Sequence, residues 1–255
     1  PRSRGLGDVY KRQYLGMNLS YAPRVWHAKN ATIGLQMLSD RSYDLVIVMM
    51  RIADMDPITF GKKVKESFPD KPIILLAFDE SEITHLPEKR LERIIDKIFI
   101  WSGNANVFPA IIKNIEDKMN LHRDYKIADI RAIIVVEDNP RYYSIILPLI
   151  YRTALKHARD LIDKSLSDID RLLLFRARPK IILASSYEQA TDYYHKYRHN
   201  ILGFISDVRF PKNGKLNSHA GVELIEYIRK KDSDMPIVLQ STKQVYSKDA
   251  KKVKL

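Results

Sequence analysis

Asn200-Ile-Leu-Gly-Phe-Ile-Ser-Asp-Val-Arg-Phe-Pro-Lys-Asn-Gly-Lys215 decides how the chain is read: a short apolar run delivers Asp207 and then breaks into a loop. An apolar run bounded by turn residues reads as a buried parallel strand, and in open α/β sheets ligands bind just beyond the carboxyl ends of such strands. Asp207 is therefore expected where chemistry is carried out.

Working outward, a second acidic site lies upstream in Ala132-Ile-Ile-Val-Val-Glu-Asp-Asn-Pro140, where another buried-strand run ends in Glu137 and Asp138. If the two strands are neighbours in one parallel sheet, three carboxylates converge at one edge. That is enough to hold a hard divalent cation such as Mg²⁺ through oxygen ligands. A third candidate strand, Met235-Pro-Ile-Val-Leu-Gln240, runs into Ser241 and Thr242, whose hydroxyls suit a phosphoryl oxygen. An acid pair after the first strand, an Asp after the third with a Pro and a Gly a few residues later, and a Ser or Thr after the fourth resemble the response-regulator receiver domain. The resemblance implies a flavodoxin-like, doubly wound parallel sheet.

The formal charge of +12 dissolves when it is located. Residues 1–13 hold +3 and residues 243–255 hold +4, which leaves +5 scattered over the middle. No basic helix, aromatic-basic alternation or helix-turn-helix pattern accompanies the charge, so a nucleic-acid partner is not expected. Zero cysteines exclude disulfides and thiolate metal sites and fit a reducing compartment. No apolar run approaches the roughly 18 residues of a membrane helix, and the longest, Ser144-Ile-Ile-Leu-Pro-Leu-Ile150, is interrupted by Pro148. A soluble cytoplasmic protein is expected. The opening residues 1–13 lack apolar periodicity, and Asp8-Val-Tyr-Lys-Arg-Gln13 resembles a sequencing adapter translated in frame, so this segment is set apart from the fold.

From residue 23 onward, strand and helix patterns alternate, which implies parallel sheets. Pro23–Ala28 reads as a short strand, Ala31–Leu38 as a helix, Tyr43–Met50 as a buried strand, Asp54–Pro57 as a turn and Ile58–Ser67 as an amphipathic helix. The strand 72–77, a polar helix around 89–93, the strand 95–101 and the helix Val107–Met119 follow. Here the same receiver order recurs with its chemistry removed. Met49 stands where the phosphoacceptor Asp belongs, Ala77 replaces the hydroxyl residue, and Trp101-Ser102 replaces a Lys-Pro pair. Asp54 and Asp56 are read as ordinary acidic loop residues. Residues 14–121 thus resemble a degenerate receiver lacking its first strand, used for packing or docking.

Polar residues 122–130 are expected to be a linker, and residues 131–255 a second receiver that repeats the first. It departs from the family between residues 141 and 180. There Leu155, Ala158, Ile162, Leu166, Ile169 and Leu173 recur at three- and four-residue spacing, predicting one long amphipathic helix or two after a kink near Pro148. The stripe suits packing on its own domain or a dimer surface. A strand at 180–184, a helix from Tyr187 to Tyr197, the Asp207 strand, a loop, a helix from Gly221 to Lys230 and the 235–240 strand complete the pattern. The fifth strand is expected to lie beyond Leu255. The tandem arrangement also resembles the region ahead of pyruvate phosphate dikinase-like and phosphoenolpyruvate synthase-like bacterial enzymes, whose catalytic domains would follow in a longer chain.

The receiver resemblance implies phosphorelay signalling. A histidine kinase or phosphotransfer protein would deliver a phosphoryl group to Asp207. Asp138 and Asp207 would ligate Mg²⁺ directly, Glu137 through water, and the Arg209 backbone carbonyl would complete the set. Ser241 would contact a phosphoryl oxygen and shift on phosphorylation. Three classes stay open: this phosphoacceptor, a regulatory fragment of a phosphoenolpyruvate-using phosphotransferase, and an interaction scaffold that is never phosphorylated. No stand-alone enzyme is expected beyond turnover of the Asp207 phosphate.

Overall fold

Runs of Ile, Leu and Val too short for helices and too apolar for one-sided sheets become central parallel strands. A computed structural model of the 255-residue chain describes residues 23–241 apart from 85, 87–90, 92, 129 and 163–177. It is an α/β protein whose described residues form two parallel sheets and one small antiparallel hairpin. The chain divides into two compact units: residues up to 115 with 140–150, and residues 116–139 with those from 151 onward.

In the first unit, β1 (Val46–Met49), β2 (Ile73–Ala77) and β3 (Lys97–Ile100) pair in the order β1-β2-β3. Every residue of β2 is fully buried. Helix α1 (Ala31–Asp40) starts at Asn30, whose side chain accepts from the Ile33 N–H at 2.9 Å. Helix α2 (Pro57–Ser67) is capped by Asp56 and carries Pro57 in its first turn, where proline's missing N–H costs nothing. A single turn, α3 (Ser81–Thr84), follows β2. The expected strand at Pro23–Ala28 is not formed: these residues have no regular structure and Arg24 to His27 are exposed. Among the described residues β1 is the edge of its sheet and no strand, residues 23–28 included, pairs with its open side.

Two long helices follow, α4 (Val107–Ala128) and α5 (Pro140–Ile162). Residues 122–128, expected as linker, are the last turns of α4. Nothing in them stops a helix, Leu121 is buried, and Tyr125 packs against the second core. Asp124 also pairs with Lys180 at 2.8 Å. Helix α5 begins the expected insert and runs through Pro148. Its buried residues Tyr143, Leu147, Tyr151, Leu155 and Ala158 keep the three- and four-residue spacing. Leu166, Ile169 and Leu173 lie outside the described residues, as do most of residues 89–93.

The second sheet has the order β5-β4-β6-β9, all parallel: β4 (Ala132–Val136) and β6 (Ile201–Asp207) are central, β5 (Lys180–Ala184) and β9 (Ile237–Gln240) flank them. Helices α6 (Tyr187–Tyr197) and α7 (Ala220–Arg229) cover one face, burying Ala190, Tyr194, Leu224 and Ile228 against Ile134, Val136 and Phe204. The expected loop between Asp207 and α7 contains a hairpin, β7 (Phe210–Lys212) with β8 (Lys215–Asn217). Its turn is Asn213-Gly214, both with positive φ (53° and 71°), the two-residue geometry that matches strand twist. Among the described residues no helix is long and apolar enough to cross a membrane.

Candidate metal centre

The site is built by strand adjacency. β4 and β6 are direct neighbours with Val136 opposite Ser206, so the next residue of each chain, Glu137 and Asp207, emerge side by side at the carboxyl edge. The Glu137 N–H still donates to the Ala184 carbonyl at 3.0 Å, extending the ladder one residue past β4 and fixing where its side chain leaves the sheet. With Asp138, the two residues bring three carboxylates together, one oxygen from each lying within 4.8 Å of the others.

Around Asp207 the backbone is held closely. The Arg209 N–H donates to Asp207 Oδ2 at 3.3 Å, and the Asn139 N–H donates to Glu137 Oε1 at 3.0 Å. Val208 and Phe210 are fully buried and pin the segment that leaves the site. Helix α7 begins directly on it: the Gly221 N–H donates to the Val208 carbonyl at 3.0 Å, and a Cβ at 221 would stand 2.2 Å from the Asp207 carbonyl oxygen. Only glycine permits this approach.

Burial dominates the electrostatics of Glu137 and Asp207. Glu137 is only 2% exposed, and this burial, reinforced by the charges of Asp207 and Asp138 and opposed by the Asn139 N–H, pushes its pKa up to about 7. Burial also raises Asp207, against the N–H groups of Val208 and Arg209 and the Arg209 charge. A set of hard oxygen donors that repel one another fits a hard divalent cation, and Glu137, Asp138 and Asp207 are the residues that would hold it.

The structure therefore brings Glu137, Asp138 and Asp207 together, as the sequence reading expected. Arg209 is exposed, two residues beyond Asp207. Ser241 directly follows β9 and is also exposed. Asp207's partner across β6 and β9 is Gln240, in sequence no more than the end of the 235–240 strand. Strand register leaves no mark in composition, so the signal was absent. In the first unit, Met49 ends β1 opposite Leu76 with Ala77 following, and the neighbouring acids are helix caps. Asp54 accepts from Ala31 N–H at 2.8 Å, Thr32 N–H at 3.0 Å and Thr32 Oγ1 at 2.6 Å, while Asp56 accepts from Ile58 N–H at 3.1 Å and Thr59 N–H at 2.9 Å. Those bonds, the Thr32 and Thr59 ones foremost, hold both carboxyls below their ordinary range.

No protein-family model matches the chain, and no curated protein is detectably similar to it in sequence.

Proposed function

We propose that the second unit is a Mg²⁺-dependent phosphoacceptor of the receiver type, a flavodoxin-like module of a cytoplasmic phosphorelay in which Asp207 receives a phosphoryl group from a histidine kinase or phosphotransfer protein. The observation that carries this reading is the convergence of Glu137, Asp138 and Asp207 at the carboxyl edge of two neighbouring parallel strands. A carboxylate oxygen of Asp207 attacks phosphorus, the bond to the donor's leaving group breaks, and the electron pair leaves with that group, giving an acyl phosphate. When bound, Mg²⁺ would offset the crowded negative charge and favour an incoming anion. Glu137 and Asp138 supply ligand oxygens, and the Gly221 contact fixes the Asp207 backbone so that its carboxylate cannot drift from the other two. The first unit is a silent partner, because a thioether at Met49 cannot form an acyl phosphate.

The test is incubation of the chain with acetyl phosphate and Mg²⁺ followed by intact-mass measurement. The parent gains one phosphoryl group, and Asp207→Asn does not. Equal labelling of both proteins, or none of the parent, overturns the reading.

A further inference from the structure

We propose that Gln240 is a phosphoryl-binding residue of this site, its side-chain N–H donating to an anionic oxygen of the group transferred to Asp207. The inference rests on the phosphoacceptor reading above and adds to it a residue that reads the ligand. Asp207 and Gln240 are direct partners across β6 and β9, so their side chains leave the same face of the sheet at its carboxyl edge. One residue past the end of β4, Glu137 falls in the same row.

Gln240 Nε2 is shut off from solvent and has no hydrogen-bond partner among the described residues. A donor left in that state costs about 1–3 kcal/mol, and a buried polar atom without a partner calls for an explanation. The rest of the strand, Ile237-Val-Leu239, shows that an aliphatic residue suits β9 without that cost. The chemistry of the row supplies the explanation. Three carboxylates provide acceptors in excess and hold a cation; they offer nothing to an anion. A phosphoryl group carries anionic oxygens that need donors, and a primary amide supplies two N–H bonds without adding charge. During transfer Gln240 neither gains nor loses a proton: the P–O bond to the leaving group breaks as the bond to Asp207 forms, and the amide holds an oxygen that stays on phosphorus.

Acetyl phosphate with Mg²⁺ serves as the probe, with the rate of mass gain followed in the parent, Gln240→Leu and Gln240→Glu, alongside the melting temperature of each apoprotein. Gln240→Leu keeps the volume and removes the donor, so labelling slows about tenfold, the worth of one hydrogen bond to a charged group. Gln240→Glu adds a fourth carboxylate and labels more slowly still. The melting temperature of apo Gln240→Leu stays at or above the parent's, because the donor it removes has no partner to lose. Labelling of Gln240→Leu at the parental rate overturns the inference and leaves the phosphoacceptor reading standing. Slower labelling with a lowered apo melting temperature makes Gln240 a structural residue and also overturns it. A parent that takes no label removes the reading itself, and the inference with it.

Discussion

Glu137 sets the chemistry of the site at the scale of one residue. Its carboxyl has an ordinary value of 4.5 and is raised to about 7 in the fold. A carboxyl raised by folding favours the protonated folded state, so the contribution is fully present below pH 4.5 and is lost as pH rises through about 7. The shift corresponds to about 3 kcal/mol across that window. Urea midpoints of the metal-free protein should therefore fall between pH 5 and 7.5, while those of Glu137→Gln fall less and leave the variant the more stable of the two at pH 8. Parallel pH profiles for parent and variant refute the assignment. The capping carboxyls Asp54, Asp56 and Asp79, the last accepting from the Ser81 N–H at 2.8 Å, are shifted downward and act with the opposite sign at lower pH, whereas Asp207, also raised by burial, acts with the same sign in parent and variant, so the difference between the two profiles isolates Glu137. The sequence placed Glu137, Asp138 and Asp207 correctly because acids at the ends of apolar runs are visible to anyone counting. Gln240 was invisible, because its role depends on which residue of β6 it faces.

At the scale of elements, the carboxylate of Asp117 in α4 shows what pattern reading misses. It is 1% exposed and accepts from Tyr151 of α5 at 3.1 Å, from Arg178 Nη2 at 2.7 Å and Nη1 at 3.0 Å, and from the Ile181 N–H of β5 at 3.0 Å. One buried group thus ties a helix of the insert, the chain returning from it and an edge strand. Within the helical pattern of Val107–Met119 it reads as one more polar residue, since nothing in sequence announces a buried partner sixty residues away. Asp117→Asn would leave the Arg178 guanidinium buried without its counter-charge, and losing one partner of such a pair costs about 3–5 kcal/mol. A thermal or denaturant melt checks this, and Asp117→Asn with Arg178→Met should recover part of the loss. No recovery in the double variant would mean that the packing, not the pairing, was disturbed. The hairpin β7–β8 was missed for a different reason. Asn213-Gly214 is a strong turn signal, but the runs around it are only three residues long and carry Lys, Pro and Asn where strands usually carry branched apolar residues. Helix α4 runs past the end its polar composition predicts, because a helix needs only one apolar stripe to stay docked.

At the scale of the whole molecule, alternation of apolar runs with helical patterns was enough to give α/β architecture and parallel sheets, because a buried strand has few other readings. A strand at Pro23–Ala28 failed because a strand exists only with a neighbour, and neighbours are not written locally. The division into units bears on Mg²⁺. A cation that binds the folded acid site and not the unfolded chain stabilises by about 2.7 kcal/mol at a hundredfold excess over its dissociation constant. Millimolar Mg²⁺ should raise the melting temperature of the parent and leave that of Asp138→Ala unchanged; an unresponsive parent removes the metal site. Acetyl phosphate should leave no phosphoryl mass on peptides from residues 23–115, where the thioether of Met49 cannot form an acyl phosphate and Asp54 and Asp56 are spent on caps. The same division has a spectroscopic consequence. The chain has two tryptophans, Trp26 and Trp101, and both belong to the first unit. Light absorbed beyond the tyrosine band therefore excites the first unit and leaves the acid-bearing unit dark, so indole emission follows the first unit alone with no label attached, while far-ultraviolet ellipticity follows the helices and strands of both.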